Sequence, residues 1–221
     1  MINNICKESK LRQIVTAYLD AKKFVINSGF VDEINWQEQL SFEQLTESKL
    51  IREAAWVVLS SGMRESVIKM KFNSLSSIFY EWECANTIAK YKNKCRNEGL
   101  KIFNNAAKID AIIAICTIIN NEGFLKVRTN IEKDGIQYIR NFPFMGPATS
   151  YHFAKNIGLQ FAKPDRHLNR ITDLLGYAEV HQLCKDVAII TGDAIPVIDL
   201  VFWRYATLNS DYKSYFSSYF N

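Results

Sequence analysis

The chain has 221 residues, 48% of them hydrophobic and 13% aromatic, enough for one sizeable globular core or two small lobes. Its 27 basic and 23 acidic side chains leave a net charge of +4, which permits a polyanionic partner without demanding one. Five scattered cysteines (Cys6, Cys84, Cys95, Cys116, Cys184) form no CxxC pair and no closely spaced group, which excludes zinc-finger and iron–sulfur motifs and predicts reduced thiols. The first 25 residues lack a charged start followed by an apolar run, and the apolar stretch near 111–120 is too short to span a bilayer. A cytoplasmic protein with no membrane partner is expected.

Nine glycines and four prolines, the latter all beyond residue 142, leave long stretches of 3.6-residue periodicity uninterrupted. The expected fold class is therefore all-α. A first helix is predicted over 9–27, with Leu11, Ile14, Val15, Leu19 and Phe24 roughly on one face. A second is predicted over 47–59, with Leu50, Ala54, Val57 and Val58 inward, closed by the break Ser60-Ser61-Gly62. Further helices are predicted at 64–70, 74–82, 83–96, 107–120, 124–130, 131–140, 147–157, 165–175, 177–191 and 196–207. Gly123, Gly158 and Gly176 stand where C-terminal caps belong. The tail from Ser210, rich in Tyr and Phe, has no clear period; packing on the core and service as an interaction tail both stay open.

The chemistry concentrates between Ile136 and Arg170. A turn, Phe142-Pro143-Phe144-Met145-Gly146-Pro147, leads into a helix and then into Lys163-Pro164-Asp165-Arg166-His167-Leu168. Gly146 is expected in a left-handed conformation and Pro147 at the first position of the next helix. A helix–turn–helix of this kind points unpaired backbone N–H groups outward, where a phosphate can bind without a charged side chain. The segment carries Arg140, Lys155, Lys163, Arg166 and Arg170 against the single acid Asp165, a local charge of five minus one, +4. A lone carboxylate in such surroundings suits an enzyme that grips a phosphate backbone while stabilising a cation.

The stretch Phe142 to Ser150 resembles the hairpin of the helix-hairpin-helix DNA glycosylases, whose usual form is Leu-Pro-Gly-Val-Gly, two residues and a small one. Asp165-Arg166-His167-Leu168 is similar to that family's Asp-x-His-Val, and Leu59 to Glu65 is similar to its earlier Leu-Ser-x-Gln stretch. The likeness covers roughly residues 45–207. It implies a two-lobed helical fold with a cleft between lobes: a central lobe at about 45–135, and a second lobe from 1–44 and 136–221 carrying the hairpin and the catalytic aspartate. It implies a monomer that flips a damaged or modified base out of double-stranded DNA and hydrolyses its glycosidic bond, with Asp165 as the catalytic residue. Phe144, Met145, Gly146, Pro147, Ala148, Thr149, Lys163, Arg166 and His167 become DNA-binding candidates. Trp56, Met63, Arg64, Tyr151 and Trp203 become candidates for the base pocket. No metal is expected in catalysis; a monovalent cation on the carbonyls of Arg140, Phe142 and Met145 is the one ion implied.

Three departures bear on the chemistry. Phe144 replaces the first hairpin glycine, and Gly62 stands about where the family's glutamine would be. Ala148 occupies the position of the Schiff-base lysine of bifunctional members, so strand cleavage through that position is excluded. Lys155 lies seven residues on, about 10 Å away along a helix.

Blander readings stand beside these. Asp165 after Pro164 is also a natural helix N-cap, and the two roles are compatible. His167 can touch a phosphate or simply pack, while His152 and His181 read as structural or surface residues. Trp56 and Trp203 on apolar faces are by default core residues. The run Lys90 to Arg96 reads as a solvated helix face, Asp193 as a turn cap and Asp199 as part of a buried salt bridge. A non-catalytic helix-hairpin-helix DNA-binding protein, and a helical interaction or RNA-associated domain, remain the alternatives to an enzyme of repair or of defence against modified phage DNA.

Overall fold

A computed structural model describes residues 2–219, with side chains from residue 8 onward, and every regular element among them is helical. In chain order these are α1 (Ile2–Val25), α2 (Val31–Glu38), α3 (Glu47–Ser60), α4 (Glu65–Ile78), α5 (Ala85–Lys90), α6 (Lys92–Ile102) and α7 (Ala106–Glu122). They are followed by α8 (Phe124–Asp134), α9 (Ile136–Ile139), α10 (Thr149–Asn156), α11 (Arg166–Leu174), α12 (Val180–Thr191), α13 (Ile195–Leu208) and α14 (Tyr212–Ser218). None of the described helices is long and apolar enough to cross a membrane. Cys84, Cys95, Cys116 and Cys184 are free thiols; Cys6 lies outside the described side chains.

Several elements depart from the sequence expectation. The helices predicted at 64–70 and 74–82 are one helix, α4, ended by a turn in which Tyr80, Glu81 and Trp82 hold φ of 54°, 52° and 62°. Left-handed backbone costs about 1–2 kcal/mol per non-glycine residue. The burial of Trp82, stacked on Phe79 at 4.9 Å and Phe72 at 5.6 Å, offsets it. The predicted 83–96 helix breaks at Tyr91, and 131–140 breaks at Gly135. Helix α2 occupies a stretch to which periodicity assigned no element. The C-terminal tail folds as α14 and packs: Tyr212 and Phe216 are buried, and the Tyr215 hydroxyl donates to the Ala17 carbonyl.

The chain divides into two compact units, residues 1–40 with 158–221, and residues 41–157. The first is organised around α13, which packs with α1, α2, α11 and α12. Its core includes Ile14, Tyr18, Ile171, Leu183, Val201, Phe202 and Phe216. Asp193 is not a turn cap: it pairs with Lys22 at 2.9 Å and accepts the Tyr18 hydroxyl at 2.5 Å, tying α1 to the loop before α13. Arg204 likewise holds Glu33 of α2 at 2.9 Å.

In the 41–157 unit α7 is central, against α3, α5, α6 and α8. Ile109, Ile112, Ile113, Ile115, Cys116 and Ile119 are all buried, so this helix is apolar nearly all round, as a central helix must be. The hairpin belongs here and not with Asp165, contrary to the division expected at 135/136. The reason is packing: α9 rests on α8, α10 rests on α9 and α3, and Ile136, Ile139, Phe142 and Phe153 are buried.

Glu53 of α3 is buried, accepting from Asn156 of α10 at 3.0 Å and pairing with the more exposed Arg52 at 2.9 Å. Burial pushes its carboxyl above the usual range of 4.5, against the opposing pull of Arg52 and Asn156. The folded chain thus holds this proton more readily than the unfolded chain. The associated stability is present in acid and is lost as pH rises through the raised folded value. Glu53→Gln keeps an acceptor for Asn156 and removes the buried charge. We expect its Tm at pH 7 to exceed that of the parent by about 2–4 °C, with the gain vanishing near pH 4, as thermal melts across that range will read.

Candidate functional site

The hairpin is built from inside outward. Phe142 and Met145 are each 3% exposed and anchor the turn; the Phe142 ring packs edge-on against Tyr138 and Phe153. Between these anchors the Met145 N–H donates to the Phe142 carbonyl at 3.1 Å. With Pro143 second and a positive φ third, this has the pattern of a type II turn. The third position favours glycine, yet it holds Phe144 at φ 64°, a strain of about 1–2 kcal/mol. The expectation for Gly146 is therefore overturned: Phe144 is left-handed, whereas Gly146 is not among the residues with positive φ. Pro147 is also displaced, since α10 begins at Thr149 with Ala148 as its cap.

Thr149 Oγ1 donates to the Phe144 carbonyl at 2.6 Å, and Ser150 Oγ donates to that of Gly146 at 2.8 Å, locking the turn to the helix that follows. Among the described residues the backbone N–H groups of Gly146, Ala148 and Thr149 have no acceptor. That of Met145 is spent inside the turn and its side chain is buried, so Met145 anchors the turn. Ser61, Arg140, Phe142 and residues 144–149 line one open basin, with Arg140 its single cation and no carboxylate. A helix N-terminus with free donors beside an arginine is chemically an anion site. Among the described residues the carbonyls of Arg140 and Met145 accept no backbone hydrogen bond, whereas that of Phe142 does. Two open carbonyls and one shared one fit the implied monovalent cation only in part.

Asp165, in the other unit, is the N-cap of α11. Its Oδ1 accepts from the N–H groups of His167 at 2.8 Å and Leu168 at 3.0 Å. Among the described residues no hydrogen bond reaches Oδ2, and the side chain is half-buried. The carboxylate is thus held through one oxygen and open at the other. The segment leading to it is also fixed. Asp199, 1% exposed in the apolar helix α13, accepts the Lys163 backbone N–H, and the Lys163 carbonyl accepts that of Asp165 at 2.8 Å.

The other DNA-binding candidates of this unit divide. Arg166 is exposed and donates to His167 Nε2 at 3.3 Å. His167 packs beside Tyr212, and burial lowers its pKa from the ordinary value of 6.5. The Lys163 side chain is half-buried. Four of the five base-pocket candidates belong to the 41–157 unit. Met63 and Arg64 are exposed after the α3 turn, Tyr151 is half-buried on α10, and Trp56 packs edge-on against Phe72 at 5.1 Å. Trp203 belongs to the other unit, packed on its core under Arg204 at 4.6 Å. None of the four in this unit lines the hairpin basin.

Sequence reasoning missed the buried polar residues that support these segments. Lys108, 5% exposed, donates to the carbonyls of Leu59 at 2.7 Å and Ser61 at 2.5 Å, closing the end of α3. Its only local signal was a cation inside the apolar run 106–115. Lys155 is 8% exposed, which removes it as an accessible substitute for the missing lyase lysine. No protein-family model, no curated protein and no solved structure matches the chain.

Proposed function

We propose that the chain is a monofunctional DNA glycosylase. The observation that carries this reading is Asp165: a carboxylate gripped through one oxygen by two backbone N–H groups, with the other oxygen open, in a segment with no second acid. Loss of a base builds positive charge on the deoxyribose. A fixed carboxylate beside C1′ stabilises that charge and takes a proton from the attacking water, while the base leaves from an unstacked nucleotide. The hairpin N–H groups and Arg140 hold phosphates of the DNA. Ala148 in place of a lysine leaves no amine there for strand cleavage, so the product is an intact strand with an abasic site.

The test is a panel of end-labelled duplexes, each with one altered base, hypermodified phage-type bases included, incubated with protein and divided between alkali and none. Breaks only after alkali are the expected result and name the base. Breaks without alkali count against the reading and indicate a lyase or nuclease. The second reading, a non-catalytic duplex-binding protein, is favoured by one fact: capping α11 already accounts for Asp165. Binding without cleavage of any member would select it.

A further inference from the structure

Resting on the base-flipping reading above, we propose that Phe144 is the wedge that enters the gap left in duplex DNA when a nucleotide leaves the stack. Its backbone sits where a glycine would be unstrained, and the turn's anchors and Thr149 hold it there. Phe144 is 41% exposed, while the neighbours on either side of the turn, Phe142 and Met145, are buried. No aromatic ring packs on it among the described residues. Backbone strain of this kind is retained at binding sites.

The surroundings fit a ring that meets DNA. Phe144 lines the same basin as Arg140 and the free N–H groups at the start of α10, so a phosphate bound there brings the ring against the duplex. Ser61 lines that basin too, and the next residue, Gly62, has no side chain and open space around its Cα. An apolar ring wedged between base steps replaces part of the lost stacking, and so favours DNA that is already unstacked.

The experiment compares two labelled duplexes by fluorescence anisotropy: one fully paired, the other carrying a tetrahydrofuran abasic analogue with 2-aminopurine opposite it. The parent protein is expected to bind the gapped duplex about tenfold tighter and to change the 2-aminopurine emission. Phe144→Gly and Phe144→Ala are expected to lose both the preference and the emission change, with affinity for the paired duplex within about threefold of the parent. Met70→Ala, an exposed control on α4 outside the basin, is expected to keep both. Thermal melting guards against misfolding: the Gly variant is expected to melt about 2–4 °C above the Ala variant, since only glycine relieves the backbone. Equal parental affinity for the two duplexes, or a preference that survives in the Gly variant, overturns the wedge and leaves the proposed chemistry standing. A parent that binds neither duplex overturns the DNA reading and the wedge together.

Discussion

Asp165→Asn is expected to slow base release by about 10³-fold while leaving the fold and duplex binding nearly intact. The separation is possible because the two oxygens do different jobs. Oδ1 accepts the His167 and Leu168 N–H groups, a task the amide oxygen of asparagine performs about as well. What disappears is the negative charge and the open second oxygen, on which charge stabilisation and proton transfer depend. Stability should fall only by the lost charge–dipole attraction at the start of α11, about 0.3–1 kcal/mol. Asp165→Ala removes the cap as well and should cost about 1 kcal/mol or slightly more. Single-turnover rates on the duplex that the panel identifies, beside thermal melts of all three proteins, test this. An Asn variant that cuts at the parental rate would sink the catalytic assignment and leave Asp165 as a cap. One that loses binding and folding together would show that the charge is structural.

Local chemistry made part of this legible in advance. Asp165, read as a natural N-cap after Pro164, caps α11 through its side chain. The hairpin was readable because Pro143 and Gly146 bracket a turn between two apolar segments. Its conformation was not, because the rule that assigns left-handed backbone to glycine pointed at Gly146. The anchors Phe142 and Met145 decide the geometry instead and force Phe144 into it. The break assumed between 70 and 74 failed for a related reason: Phe72 and Leu75 are both buried, and packing carries α4 through a stretch of weak helix formers. Asp193 departs from the turn cap expected of it because its partners, Tyr18 and Lys22, lie at the other end of the chain. Distance in sequence likewise hid which lobe the hairpin joins.

Lys108→Met is expected to destabilise the 41–157 unit by about 3 kcal/mol, the largest stability loss of any change considered. The ammonium bonds to two carbonyls at the C-terminal end of α3, Leu59 and Ser61, where the helix dipole also favours a cation. Methionine matches the stem in length and fills the space without a donor, so the loss falls on the buried polar pairing and not on a cavity. Two carbonyls are left unsatisfied at about 1–3 kcal/mol each, less whatever water reaches Ser61 at its half-exposed position. The expected Tm change is a fall of about 6–12 °C for a chain of this size. Lys108 also holds the backbone of Ser61, which faces the hairpin basin, so paired-duplex affinity should weaken in the same variant below its melting point. Calorimetry and anisotropy on one preparation read both effects. A Tm within 2 °C of the parent, a bound set by about 1 kcal/mol at this length, would mean that water replaces the ammonium and that the α3 turn needs no strut.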